Sequence, residues 1–266
     1  MNAADTRVDR ARKAFLTGDR GLAQKAHKKG IIRKTVGHGE EHKKTFTLPE
    51  IILGGQDGLV NVLGVILRVA AATADVKIVI VAGLAATFAE SVSMAAVAYT
   101  SKIAEADYYQ SEYEREKWEV EHFPEGEREE IRALYARYGF AGAELEDIVQ
   151  KITSNKSIWL EVMMSQELKL EPVDRTQAVP AAVIVGVSAL IGSFIPLVAF
   201  FFLPIKASIY LSLIVSSLTL FLVGSYKAKV TIGRNVLRQG IEMMVIGMVS
   251  AFVGYAIGSI FKVPAS

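Results

Sequence analysis

Four stretches of this chain, 78–101, 178–203, 207–226 and 240–261, run for twenty or more residues with almost no charge. No other feature restricts the fold so strongly. About 20 apolar residues in a helix cross the roughly 30 Å of a bilayer's hydrocarbon. Within it, every backbone polar group must find its partner inside the protein, which leaves helices as the spanning form for such runs. Residues 48–72 are a fifth such run, interrupted by Asp57 and Arg68. With 51% hydrophobic residues in 266 and a mean hydropathy of +0.31, an ordinary soluble domain is excluded. The expected fold is an all-α membrane protein with five transmembrane helices. The first 47 residues are polar and basic and lack an apolar core, so no signal peptide is expected. The absence of cysteine rules out disulfides and thiolate metal sites.

Charge placement orients the spans. Twelve Lys and Arg residues precede position 48, and Lys227, Lys229, Arg234 and Arg238 separate the fourth and fifth spans. The other side receives only Lys77, Lys206 and Lys262. Basic short flanks favour the cytoplasm, so the N-terminus is expected inside and the C-terminus outside. The chain then divides into a basic cytoplasmic extension (1–47), spans one and two (48–103), a cytoplasmic helical domain (104–176) and spans three to five (177–266). The extension fits either an amphipathic helix on the inner leaflet or a disordered tail.

The insertion 104–176 is dense in Glu. Nothing between Met94 and Val120 breaks a helix, so span two is expected to run on into it. Pro124 and Gly126 read as a break, Gly139 and Gly142 as the end of a second helix, and 143–155 and 157–170 as a third and fourth. Tyr108, Tyr109, Tyr113 and Trp118 are the expected packing aromatics. Glu112, Glu116 and Glu119 share a helix face, as do Glu127 and Glu130 on the next helix. In "MMSQE", Met163 and Met164 lie four and three residues before Glu167. Carboxylates suit divalent cations, and thioethers add a softer ligand that favours later transition metals. The same pattern also fits a solvated face balanced by Arg115, Lys117, Arg128 and Arg132, with the two methionines as core filler.

Charges inside the spans say more. Asp57 and Glu90 lie in apolar surroundings, where a charge is expensive and marks a functional path. At about 1.5 Å per residue, Asp57 sits about 12 Å in from the cytoplasmic end and Met94 about 13 Å. Asn61 and Glu90 match one turn further out. Two polar layers on adjacent spans make a ladder for a cation; the alternative is hydrogen bonding to neighbouring helices, or a local loosening at Gly54, Gly55 and Gly58. Arg68 either snorkels to the outer surface or pairs with a carboxylate. The small residues of 83–98 and the Gly254/Gly258 pair predict close helix contacts. Pro196 is expected to kink span three.

The segments "QDGLVNVLG", "ESVSMAAVAYTSKIAEADYY", "EREKWEVE" and "WLEVMMSQELKLE" resemble the vacuolar iron transporter family over residues 48–262. The resemblance implies a five-span homodimer whose insertion binds metal. It also implies ligands at Glu116, Glu119, Glu127, Glu130, Met163, Met164 and Glu167, with Glu105 and Glu112 on the same helix. Asp57 and Met94 fall on its translocation path, and Glu50 on a carboxylate near the cytoplasmic mouth. Gln56 stands where plant members carry Ser, and Glu90 lies one turn nearer the cytoplasm than their carboxylate, at the position of Ala86.

The function expected is export of Fe²⁺ from the cytosol, with Mn²⁺, Co²⁺ and Zn²⁺ as further candidates, by exchange with protons. No cofactor and no nucleic-acid partner are expected; membrane lipid and a second copy of the chain are. A prokaryotic plasma membrane is the expected location, with a vacuolar or other organellar membrane as the alternative. A membrane-tethered di-iron oxidase is a competing reading, because Glu119 and His122 have the Glu-x-x-His spacing. His27, His38 and His42 supply no second such motif. A metal sensor without transport would leave the buried span charges without a role.

Overall fold

The computed structural model describes residue 11 and residues 13–28, 47–231 and 235–260. Most of the basic extension, with His38 and His42, therefore lies outside the described residues, as do Arg234 and Lys262. Every regular element among the described residues is helical: α1 (Arg20–Ala26), α2 (Thr47–Thr73), α3 (Val76–His122), α4 (Pro124–Ala136), α5 (Gly142–Thr153), α6 (Lys156–Val162), α7 (Ala178–Leu197), α8 (Ile205–Thr231) and α9 (Val236–Ile260). Short 3₁₀ turns follow Asp174 and Leu197, and a π-turn covers Met163–Glu167. Among the described residues, five helices are long and apolar enough to cross a membrane, within Leu48–Thr73, Val76–His122, Arg175–Phe201, Ile205–Val230 and Val236–Ile257. The interrupted run at 48–72 is thus one unbroken helix. Span two continues well past its apolar portion, in a helix of 47 residues.

The chain forms two compact units. The first comprises residues 1–92 and 184–266. Its core joins Val62, Leu63, Ile66 and Leu67 of α2 to Val79 of α3, Leu197 of α7 and Phe200 in the turn after it. In α1, Asp19 caps the helix by accepting from the Leu22 N–H at 3.0 Å. The glycines of α2 do not loosen it. They mark where α2 meets α7: a Cβ on Gly54 would fall 2.2 Å from the Val185 carbonyl oxygen, and one on Gly58 2.3 Å from that of Ala189. Gly192 of α7 returns the contact, its Cβ position being 2.1 Å from the Gly55 carbonyl oxygen. Only hydrogen fits at these positions, so two backbones pack directly. Gly254 of α9 similarly comes up against Gly64, at 3.2 Å from its carbonyl oxygen; the surroundings of Gly258 lie outside the description.

Pro196 ends the regular part of α7 rather than kinking a longer helix, and the chain passes into a 3₁₀ turn at Val198–Phe201. Carbonyls there accept from serines of α8: Ser212 Oγ donates to Pro196, and Ser208 Oγ to Ala199 at 3.1 Å and Leu203 at 2.9 Å. Ser208, Ser212 and Ser216 recur every four residues and are all buried, forming a polar stripe on α8.

The second unit, residues 93–183, holds the far half of α3 together with α4, α5 and α6. Its core is Val120, Ile131, Leu134, Leu145, Val149, Trp159, Leu160, Val162 and Met163, with Tyr113 packed against it. The buried tryptophan is Trp159. Trp118 is 51% exposed and stacks on His122 with ring centroids 4.5 Å apart. Tyr108 also faces outward. The break after α3 falls at Phe123, with Pro124 opening α4 and Gly126 inside its first turn. Proline suits that position because its missing N–H has no helical partner there. Gly139, after α4, and Gly142, the first residue of α5, take positive φ, +95° and +57°. The expected fourth helix, 157–170, is α-helical only to Val162.

Candidate functional site

Two clusters of carboxylates stand out, one in each unit. In the first, Asp57 and Asn61 lie one turn apart on α2, and Asn61 Nδ2 donates to Asp57 Oδ2 at 3.3 Å. The Glu90 carboxyl of α3 lies beside both side chains, close enough to interact with each. Asp57 therefore faces the second span. The layers differ from those expected from helical rise alone, since Glu90 meets both α2 residues. Asp57 and Glu90 are half-buried and Asn61 is exposed. Met94 follows Glu90 by one turn on α3 and is half-buried. Glu50, in the first turn of α2, has a buried Oε2 with no hydrogen-bond partner among the described residues. Arg68 is exposed five residues before the end of α2.

In the second unit the sequence sorts its carboxylates by helix face. On α4, Glu127 lines up with Ile131 and Leu134 on the buried side. Glu125 and Glu129 point away and pair with Arg128 and Arg132, and Arg132 also reaches Glu146 at 2.7 Å. The balanced, solvated face is therefore real, but it is the other face. The inward group contains Glu116, 2% exposed, and Glu127, 5% exposed. Carboxylate oxygens of Glu116, Glu119 and Glu127 all lie within 4.8 Å of one another. Oxygens on opposite sides of an ion with bonds of about 2.2 Å stand about 4.4 Å apart, so the spacing is close to that of a coordination shell. Glu130 and Glu167 share a hydrogen bond beside them. The Oε2 atoms of Glu116, Glu127 and Glu167 are buried with no hydrogen-bond partner among the described residues.

Burial, and then the facing carboxylates of Glu130 and Glu116, push Glu127 up to about 8. The same causes push Glu167 up to about 7. Such crowding of orphaned acids is costly without a cation. One cation is built in: Arg115 bonds Glu112 at 2.9 Å, Glu116 Oε1 at 2.7 Å and Glu119 at 2.5 Å. Glu112 is thus held by Arg115. Glu105 stands apart from the group, exposed and paired with Lys102 at 2.8 Å.

The π-turn presents Glu167 to this group. The Leu168 N–H donates to the Met163 carbonyl five residues back, at 3.0 Å. That shift replaces the regular four- and three-residue spacing expected for "MMSQE", and single π-turns recur at functional positions. The two methionines separate: Met163, fully buried, belongs to the apolar core cluster, whereas Met164, 2% exposed, is not part of it. His122 is turned onto Trp118, its Nδ1–H donating to the Trp118 carbonyl at 2.8 Å, and takes no part in the acidic group. Sequence reasoning missed that Arg115, though exposed, pairs with the carboxylates of this group; its i−3, i+1 and i+4 carboxylate neighbours were the available signal. It also missed the π-turn, for which composition carries no sign.

Comparison with known proteins adds an independent line. Residues 48–259 match the family model described as the VIT family. The vacuolar iron transporter of Plasmodium falciparum is 30% identical over 263 residues, 95% of each chain. That of Toxoplasma gondii is 30% identical over 96% of this chain and 88% of its own. Vacuolar iron transporter 1 of Arabidopsis thaliana is 30% identical over 85% of this chain and 90% of its own. The first two alignments take in most of residues 1–47, so the likeness extends further toward the N-terminus than the motifs alone indicate. The relatives are named as transporters and not as enzymes. A match over four-fifths of the length, five apolar helices and relatives along almost the whole chain lead to one conclusion: this multi-pass membrane protein belongs to the VIT family.

Proposed function

We propose that the chain is a secondary transporter that carries Fe²⁺, with Mn²⁺ as a second substrate, out of the cytosol in exchange for protons. The observation that carries this reading is the contact of Asp57 and Asn61 with Glu90 across two membrane-spanning helices. Two carboxyls in contact hold either a shared proton or a shared cation. A bound divalent ion is therefore released when protons arrive, because its ligands must be deprotonated to bind. The names of the relatives support iron as the cargo.

In this reading residues 104–176 form a cytoplasmic metal-binding domain. Glu116, Glu119 and Glu127, with Glu130, Met163, Met164 and Glu167, collect the ion from the cytosol. Glu50 stands at the mouth of the path, and Asp57, Asn61, Glu90 and Met94 line it. Glu112 acts through Arg115, and Glu105 contributes only charge. The working form is a homodimer with its N-terminus in the cytoplasm. A prokaryotic plasma membrane is the proposed location, with a vacuolar or other organellar membrane as the alternative.

The test is uptake of Fe²⁺, Mn²⁺, Co²⁺ and Zn²⁺ by proteoliposomes under an imposed pH gradient. Fe²⁺ uptake that rises with the gradient and disappears in Asp57→Ala is the expected result. Unchanged flux in Asp57→Ala removes the path; flux indifferent to the gradient removes the exchange and leaves transport standing.

A further inference from the structure

A recess of about 400 Å³ opens between α2, α8 and α9 in the first unit. Leu67 of α2, Lys206, Tyr210 and Leu213 of α8, and Phe252 and Tyr255 of α9 line it. Lys206 is the second residue of α8, and Tyr255 lies five residues before the end of α9. The recess is therefore at the boundary end of the spans, where hydrocarbon gives way to headgroups. Lys206 and Tyr210 are exposed, the latter at 69%. Among the described residues, Lys206 has no carboxylate in an ion pair, and the hydroxyls of Tyr210 and Tyr255 have no hydrogen-bond partner.

A lysine and two tyrosines at this depth keep their polar tips at headgroup level and their stems in the apolar region. Phosphate diesters are the negative groups present at that depth, and an unpaired ammonium at the end of a span attracts them. The remainder of the lining is aliphatic or aromatic, which serves an acyl chain and is of no use to a small soluble anion. We propose that this recess binds one anionic phospholipid, with its phosphate on Lys206 Nζ and donors from Tyr210 and Tyr255. The upper methylenes of one acyl chain then lie on Leu67, Leu213 and Phe252.

The test uses the full-length chain, purified and delipidated in detergent, with thermal unfolding followed as lipid is added. Phosphatidylglycerol, phosphatidylcholine and inorganic phosphate are the three probes. The expected result is a rise in Tm with phosphatidylglycerol well above that with phosphatidylcholine, and none with phosphate. In Lys206→Gln the half-saturating phosphatidylglycerol concentration is expected to rise at least fivefold, while Lys206→Arg stays near wild type. The comparison between variants matters because the basic extension also attracts anionic lipid. The double variant Tyr210→Phe, Tyr255→Phe gives the same reading should Lys206→Gln fold poorly. An unaltered half-saturation in both variants overturns the proposal, as does an equal response to the two lipids. A shift reproduced by inorganic phosphate makes this a soluble-anion site and overturns it as well.

Discussion

Gly58 follows Asp57 directly and faces α7. A methyl group there would lie 2.3 Å from the Ala189 carbonyl oxygen and 2.7 Å from Ser193 Oγ. The serine can turn aside, but a helix backbone cannot. Ordinary contact is about 3.5 Å, so Gly58→Ala must part the two helices by about 1 Å. Overpacking of this kind costs about 1–3 kcal/mol. The larger effect falls on the site, which must hold its ligands to within about 0.5 Å. Fe²⁺ uptake into proteoliposomes is expected to drop by about tenfold or more, with far-UV circular dichroism unchanged. Gly64→Ala is the matched control, on the same helix, with nothing within 4 Å of its new methyl. It receives the same gain in helix propensity and is expected to transport normally. Wild-type flux in Gly58→Ala, or an equal loss in Gly64→Ala, would refute the idea that this backbone crossing positions Asp57.

The acidic group of the second unit yields three more expectations. Glu127 is held up to about 8 against an ordinary 4.5, so the folded state binds a proton that the unfolded chain has lost. Stability of the metal-free protein is then fullest below about pH 4.5 and declines as pH climbs toward 8; thermal melts across that range should show this, and Glu127→Gln should flatten the slope. Arg115→Gln removes the cation beside the buried Glu116, but its guanidinium is 44% exposed and screened, so the melting point without metal should fall by the equivalent of about 1 kcal/mol. Added divalent metal should then recover more of the loss than it contributes in the parent. Met164→Leu conserves volume and should cost less than about 1.5 kcal/mol. Isothermal titration should nonetheless show Zn²⁺ and Co²⁺ weakened more than Mn²⁺, whereas Met163→Leu, within the apolar core, should leave all three alike.

How much of this was readable beforehand depended on whether the signal was local. The spans were readable because a charge-free run of twenty residues has one stable form in hydrocarbon. The length of α3 was readable because no proline or glycine interrupts it from Met94 to Val120. Helical rise matched Asp57 in depth with Met94 and Asn61 with Glu90, but rise says nothing about rotation; Glu90 turned out to meet both Asp57 and Asn61. Gly54 and Gly58 read as weakness because the backbone they admit belongs to α7, more than a hundred residues later. Trp118 and Trp159 are equally apolar in composition, and only the packing of four helices decides which is buried. The π-turn changes a hydrogen-bond register by one residue, which leaves no trace in residue type.

The interrupted end of α7 bears on how the protein is made. On its own, that segment would enter hydrocarbon with the carbonyls around Pro196 bare, each a matter of several kcal/mol. The hydroxyls that cover them come from the next helix, Ser208 and Ser212, across a turn of only a few residues. The third segment is thus a poor solitary passenger and a good one as half of a hairpin, and translocation machinery that releases the two together spares the nascent chain its least tolerable intermediate.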